Sequence, residues 1–174
     1  MKKELIELHV NGRVHELAVY PNRTLLDVLR EDLRLTGTKC SCDDASCGSC
    51  TVLADGQPML SCVLLPVRCQ HMEIQTIESL ATQGELDALQ RGFVEEGGAQ
   101  CGFCTPGMIM SLKSLLARFA QPGAGEPTDA QVRACISGNI CRCTGYMQIC
   151  RAVKHAVNAM REQTCPERGR GIHA

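Results

Sequence analysis

Cys42, Cys47, Cys50 and Cys62 follow the spacing C-x4-C-x2-C-x11-C. This is the plant-type spacing for a [2Fe–2S] cluster, in which one tight loop brings three thiolates onto a small inorganic core and a neighbouring strand adds the fourth. Soft sulfur donors in fours select iron–sulfur clusters or zinc. Zinc sites usually carry their ligands as C-x2-4-C pairs on two separate knuckles, so the three-plus-one pattern favours iron–sulfur. Buried free thiols would account for four cysteines but not for their spacing.

A second set follows. Cys101 and Cys104 form C-x2-C, and Cys141 and Cys143 form C-x-C. Each pair precedes an expected helix. A thiolate-ligated cluster is an anion and gains negative charge on reduction, and helix N-termini offer free N–H groups and a positive dipole end. Two helices starting beside each other would therefore cage a second [2Fe–2S] cluster. Taken alone this set is also compatible with zinc. The plant-type site in the same chain favours iron, because two clusters make an electron path.

The elements that must position these thiols read in order. Residues 5–20 alternate apolar and polar around Asn11-Gly12, a strong hairpin signal. Thr24 with Asp27 resembles a capping box ahead of Leu25, Leu26, Val28, Leu29 and Leu33 at helical spacing. Residues 51–54 and 60–64 read as strands around Asp55-Gly56, which would put Cys62 on the return strand. Residues 72–76 read as a last strand. Strands, one helix and a cysteine loop suggest a β-grasp ferredoxin-like domain over residues 1–80. Helical patterns then cover 85–95, 106–118, a segment capped by Thr128 with Gln131, and 144–161, whose apolar stripe includes Ile149, Cys150, Val153 and Val157. The fold class expected is α+β: the β-grasp domain, then a four-helix, all-α cluster-binding domain over 81–162. A loop is expected at 121–127 and a tail at 163–174.

With 174 residues and a formal net charge of −1, the chain is sized for one domain or two small ones and is not built to bind nucleic acid. No stretch approaches a membrane span, and Met1-Lys2-Lys3-Glu4 runs into a strand pattern with no apolar leader. Thirteen cysteines, an odd number, cannot all pair internally. Metal-bound thiolates in a reducing cytoplasm fit better than disulfides. Cys40, Cys69, Cys135, Cys150 and Cys165 lie outside the two sets. Cys135 and Cys150 are expected to pack in the core, Cys40 to be a spare thiol near the loop, and Cys165 to be exposed. No Ser/His/Asp or Cys/His catalytic set stands out.

Leu35-Thr36-Gly37-Thr38-Lys39, Cys47-Gly48-Ser49-Cys50-Thr51-Val52, Gln100-Cys101-Gly102-Phe103-Cys104-Thr105-Pro106-Gly107-Met108 and Gly138-Asn139-Ile140-Cys141-Arg142-Cys143-Thr144-Gly145-Tyr146 resemble the small iron–sulfur subunit of the molybdenum hydroxylase (xanthine oxidase) family, over about residues 4–162. The resemblance implies an electron-transfer subunit of an oxidoreductase. A large partner subunit would hold a molybdenum–pterin cofactor, where substrate reacts, and a medium subunit would hold FAD. Such a heterotrimer can pair into a dimer of trimers. It also implies that Gln100 and Cys143 lie against the pterin, although the bare sequence reads Gln100 as an exposed loop amide. One departure stands out. Family members usually carry Gly-Cys-x-x-Gly-Gly-Cys where this chain has Ser41-Cys42-Asp43-Asp44-Ala45-Ser46-Cys47, so the loop backbone and the first cluster's potential are the properties at stake. The rival readings are an independent two-cluster ferredoxin and a zinc-stabilised interaction protein. The first would be a soluble monomer and the second would be colourless.

Overall fold

The structure, a computed structural model, describes residues 1–119 and 125–164. Strands β1 (Glu4–Val10) and β2 (Arg13–Val19) pair antiparallel, from Glu4 opposite Val19 to Val10 opposite Arg13. Asn11 and Gly12 take φ values of 54° and 72°, the left-handed pair that a type I′ hairpin requires. The alternation buries Ile6, Leu8, Val10 and Val19 and turns Leu5 and Val14 outward.

Thr24 and Asp27 form the expected reciprocal capping box at the start of α1 (Leu25–Asp27), which runs on into a π-helical turn, Val28–Asp32. Leu25, Leu26, Val28 and Leu29 are buried, each worth about 1.5 to 3 kcal/mol relative to exposure. Strands β3 (Thr51–Ala54), β4 (Gln57–Leu60) and β5 (Glu73–Gln75) complete one sheet in the order β2-β1-β5-β3-β4. β1 is parallel to β5, and the other neighbours are antiparallel.

The return strand is earlier than the sequence suggests. Asp55 and Gly56, at φ 49° and 75°, close a two-residue turn, so pairing resumes at Gln57 and ends at Leu60. Cys62 therefore sits in a short 3-10 turn, Ser61–Val63, and not on a strand.

Four helices follow among the described residues: α2 (Ala88–Glu95), α3 (Thr105–Ala117), α4 (Asp129–Cys135) and α5 (Met147–Thr164). α2 begins later than the expected Glu85 because Asp87, boxed with Gln90, is its cap. Thr128 caps α4 with Gln131 as expected. α2 packs along α5, and α3 packs on β3. A second apolar core, including Leu89, Phe93, Met108, Leu112, Ile149 and Val153, fills the space between the helices. The architecture is α+β, a mixed sheet with helices. No helix among the described residues is long and apolar enough to cross a membrane. α5 extends into the expected tail. Cys165, the rest of that tail and most of the 121–127 loop lie outside the described residues.

Candidate iron–sulfur sites

The eight singled-out cysteines gather as two groups of four. In the first, Cys50 and Cys62 are buried, and the thiols of Cys42 and Cys47 interact with one another. Burial pushes the Cys62 thiol up to about 12, helped by the neighbouring Cys50. Burial also acts upward on Cys47, but hydrogen bonds from the Ser49 N–H and from Cys42 outweigh it and bring that thiol down to about 7. Cys62 is held beside Cys50 by Ser61, whose N–H and hydroxyl donate to Cys50 O at 3.3 and 2.8 Å. Leu26 packs in the same cluster as both sulfurs.

In the second group, the Sγ atoms of Cys143 and Cys101 lie 3.6 Å apart. Two sulfurs on one tetrahedral metal with bonds of about 2.3 Å would sit about 3.8 Å apart. Cys104 pairs with Cys141, and its thiol is pushed up to about 12, chiefly by burial and then by that neighbour. Thr144 Oγ1 donates to the Cys141 sulfur at 3.2 Å, and the Thr144 N–H does so at 3.5 Å. Cys104 is the residue that caps α3, as the helix-start reading requires. Cys141 and Cys143 differ from that expectation, because α5 begins only at Met147. Between them, Thr144 is engaged with sulfur, and Gly145 and Tyr146 turn left-handed at φ 62° and 66°, so N–H groups of a loop face Cys141 in place of a helix end.

The donors fit dinuclear iron better than one metal ion. The thiols associate two and two: Cys42 with Cys47, Cys50 with Cys62, Cys101 with Cys143 and Cys104 with Cys141. A [2Fe–2S] core takes two thiolates on each iron. No three His, Cys, Asp or Glu side chains among the described residues converge on a single metal position. The first loop turns left-handed at Asp43, Ala45 and Gly48, and within it the Ser49 N–H reaches the Cys47 sulfur and the Ala45 N–H the Cys62 sulfur, donors of the kind that favour anions.

The first loop lacks glycine at the three family-motif positions 41, 45 and 46. Of the three positions where the family motif has glycine, only Ala45 is left-handed, at φ 65°, a conformation that costs an L-residue about 1 to 2 kcal/mol. Cys40, exposed, donates its thiol to Asp43 Oδ1 at 3.3 Å, and that bond holds it above the ordinary thiol range. Asp44 accepts the Ser46 N–H at 3.1 Å, and Ser46 and the Cys42 thiol hold its carboxyl below the ordinary range. Asp44 is therefore charged at neutral pH and lies beside a cysteine of the first group. Adding an electron to an anionic cluster near such charge is unfavourable. The double variant Asp43→Asn, Asp44→Asn should raise the first cluster's potential by a few tens of millivolts, less at high salt, with the second cluster hardly moved. EPR-monitored redox titration reads both, and an equal shift in the two clusters would contradict this.

Gln100, Cys101 and Cys143 are exposed, as are Phe103, Ile140 and Met147 nearby in sequence. The remaining thiols behave as core: Cys150 and Cys69 are buried, and half-buried Cys135 donates to Ser111 O at 3.2 Å.

The two groups meet through backbone. Ile140, next to Cys141, donates its N–H to Cys47 O at 2.9 Å. A Cβ on Gly48 would lie 2.4 Å from Gly138 O, and one on Gly107 would lie 2.3 Å from Gly48 O. Sequence reasoning missed this junction and Asn139 within it. The glycines were visible, but nothing in their spacing told which backbone each would touch.

Comparison with known proteins gives the family. Residues 8–67 match the 2Fe-2S iron-sulfur cluster binding domain, and residues 76–154 match the [2Fe-2S] binding domain. The chain is thus an iron–sulfur protein with two [2Fe–2S] sites. The nicotinate dehydrogenase small FeS subunit of Eubacterium barkeri is 43% identical over 157 residues, 90% of this chain and 97% of that one. Caffeine dehydrogenase subunit gamma of Pseudomonas sp. (strain CBB1) is 46% identical over 154 residues, 88% and 91% of the two. The crystal structure of quinoline 2-oxidoreductase from Pseudomonas putida 86 superposes with a TM-score of 0.86 at 40% identity, covering 93% of this chain and 98% of that one. The chain belongs to the small iron–sulfur subunits of the molybdenum hydroxylase (xanthine oxidase) family. It is an electron-transfer subunit of an oxidoreductase, a reading favoured over a free-standing ferredoxin and over a zinc-stabilised interaction protein.

Proposed function

We propose that this chain conducts electrons between a large molybdenum–pterin subunit and a medium FAD subunit of a cytoplasmic heterotrimer. We assign Cys42, Cys47, Cys50 and Cys62 as ligands of one cluster, and Cys101, Cys104, Cys141 and Cys143 as ligands of the other. Residues 1–80 form the β-grasp ferredoxin-like domain and 81–162 the four-helix domain. When bound, each [2Fe–2S] cluster supplies a site for one electron. The chain's own residues do the rest. The four thiol pairs would fix the two iron positions of each cluster, loop N–H groups and the Thr144 hydroxyl stabilise negative charge on sulfur, and buried Leu26 helps to exclude water from the first site.

The observation that carries the reading is the Cys47 carbonyl accepting the Ile140 N–H at 2.9 Å. It gives an unbroken route of covalent bonds and one hydrogen bond from a ligand of one cluster to Cys141, a ligand of the other. The exposed end of the second group suits the molybdenum partner. Cys101 and Cys143 are exposed, Gln100 adjoins Cys101, and Phe103, Ile140 and Met147 are exposed apolar residues close in sequence to these cysteines. Gln100 is assigned as a hydrogen-bonding partner of the pterin, and Cys143 as the residue leading from pterin to cluster. Gln100→Ala in the assembled complex should slow cluster reduction by the enzyme's substrate and leave reduction by dithionite unchanged. Equal slowing by both routes would contradict the assignment.

A further inference from the structure

Asn139 is only 4% exposed and lies between the two thiol groups without belonging to either. Its Nδ2 donates to Gly48 O at 2.9 Å and reaches Thr51 Oγ1 at 3.5 Å. Its Oδ1 accepts the Ser111 hydroxyl, from α3, at 2.9 Å. Its main chain is held as well. The Asn139 N–H donates to Ile136 O at 2.9 Å, and Tyr146 Oη donates to Asn139 O at 3.2 Å while accepting the Cys141 N–H at 2.7 Å. One buried amide thus ties together the first cysteine loop, α3 and the second cysteine loop.

The residues it grips are neighbours of ligands on both sides. Gly48 follows Cys47, and Ile140 and Cys141 follow Asn139. The contact that it flanks, Ile140 N–H to Cys47 O, joins the two cysteine loops directly at 2.9 Å. Hydrogen bonds weaken steeply as they lengthen or bend. Leaving a buried partner of Asn139 unsatisfied carries a full desolvation penalty, which makes this geometry stiff. The glycines at 48 and 107 permit the close approach, and Asn139 closes it.

We propose that Asn139 is the positioning residue for electron transfer between the two clusters. By clamping Gly48 to α3 it holds the Ile140–Cys47 contact at fixed length and so sets the transfer rate. The inference rests on the electron route proposed above. In that step one electron leaves the reduced second cluster and is taken up by the oxidised first cluster. No bond forms or breaks, and no proton moves at Asn139.

The test uses the intact complex, photoreduced in a flash and sampled by rapid-freeze EPR. Asn139→Ala should keep both EPR signals and both potentials, slow transfer between clusters several-fold, and weaken the magnetic coupling between the signals. Asn139→Leu keeps roughly the side-chain size but offers no donor to Gly48 O, and it should slow transfer likewise. Ser111→Ala removes one partner and should slow it less. Unchanged transfer in Asn139→Ala with both clusters present overturns the proposal. If that variant loses a cluster, a wild-type rate in Ser111→Ala with both clusters present overturns it instead. Absence of transfer in the unmodified complex would count against the route itself and not against the clamp alone.

Discussion

Cys47→Ser should erase one reduced-state EPR signal and leave the other, and Cys104→Ser should do the reverse. Each should lower bound iron from about four to about two atoms per chain. The expectation follows from how the thiols are held. The first group is buried at Cys50 and Cys62, and the second is buried enough at Cys104 to push its thiol up to about 12. The Cys62 and Cys104 thiols, each pushed up to about 12, ionise at neutral pH only when a metal takes the proton's place. A serine hydroxyl is a harder donor and a weaker acid, so it does not replace the missing sulfur. The thiols associate within each group and not across groups, and loss should therefore stay local. Loss of both signals from a single substitution would show one shared site, and survival of a signal in both variants would show a wrong ligand set.

Gly48→Ala should lower stability by about 2 to 5 kcal/mol. The sum has two parts of the same sign. Gly48 is left-handed at φ 73°, which costs an alanine about 1 to 2 kcal/mol. The new Cβ would sit 2.4 Å from Gly138 O and 2.6 Å from Asn139 Nδ2, and overpacking of this kind costs about 1 to 3 kcal/mol. At about 2 to 4 °C per kcal/mol for a chain of this size, Tm should fall by roughly 4 to 20 °C. Gly56→Ala is the control, because Gly56 is left-handed at φ 75° but would meet nothing within 4 Å. It should show the backbone cost alone. Equal losses in the two variants would mean that the cysteine loops do not approach so closely.

Local patterns were the legible part of this chain. The Asn11-Gly12 hairpin, the capping boxes at Thr24 and Thr128 and the start of α3 beside Pro106 all follow from residue chemistry within a few positions. Both thiol groups were legible too, because cluster geometry constrains cysteine spacing directly. The misplaced strand at 60–64 shows where pattern misleads. An apolar run looked like pairing, but the tight Asp55-Gly56 turn moved the pairing to 57–60 and left Cys62 on a turn. The start of α5 slipped for a similar reason. The helix was expected from Thr144, yet the Thr144 hydroxyl goes to the Cys141 sulfur, and Tyr146 turns left-handed behind it. The junction around Asn139 and Gly48 was not legible at all. Its partners are separated by 91 positions, and no periodicity connects them.

Quantifying iron, acid-labile sulfide and zinc in the isolated complex, together with spin integration of its fully reduced EPR spectrum, tests most directly whether this chain carries two clusters in series. The expected result is about four iron and four sulfide per chain, no stoichiometric zinc, and two distinct signals integrating to one spin each. Zinc in place of iron at either group, or a single signal on full reduction, would contradict it.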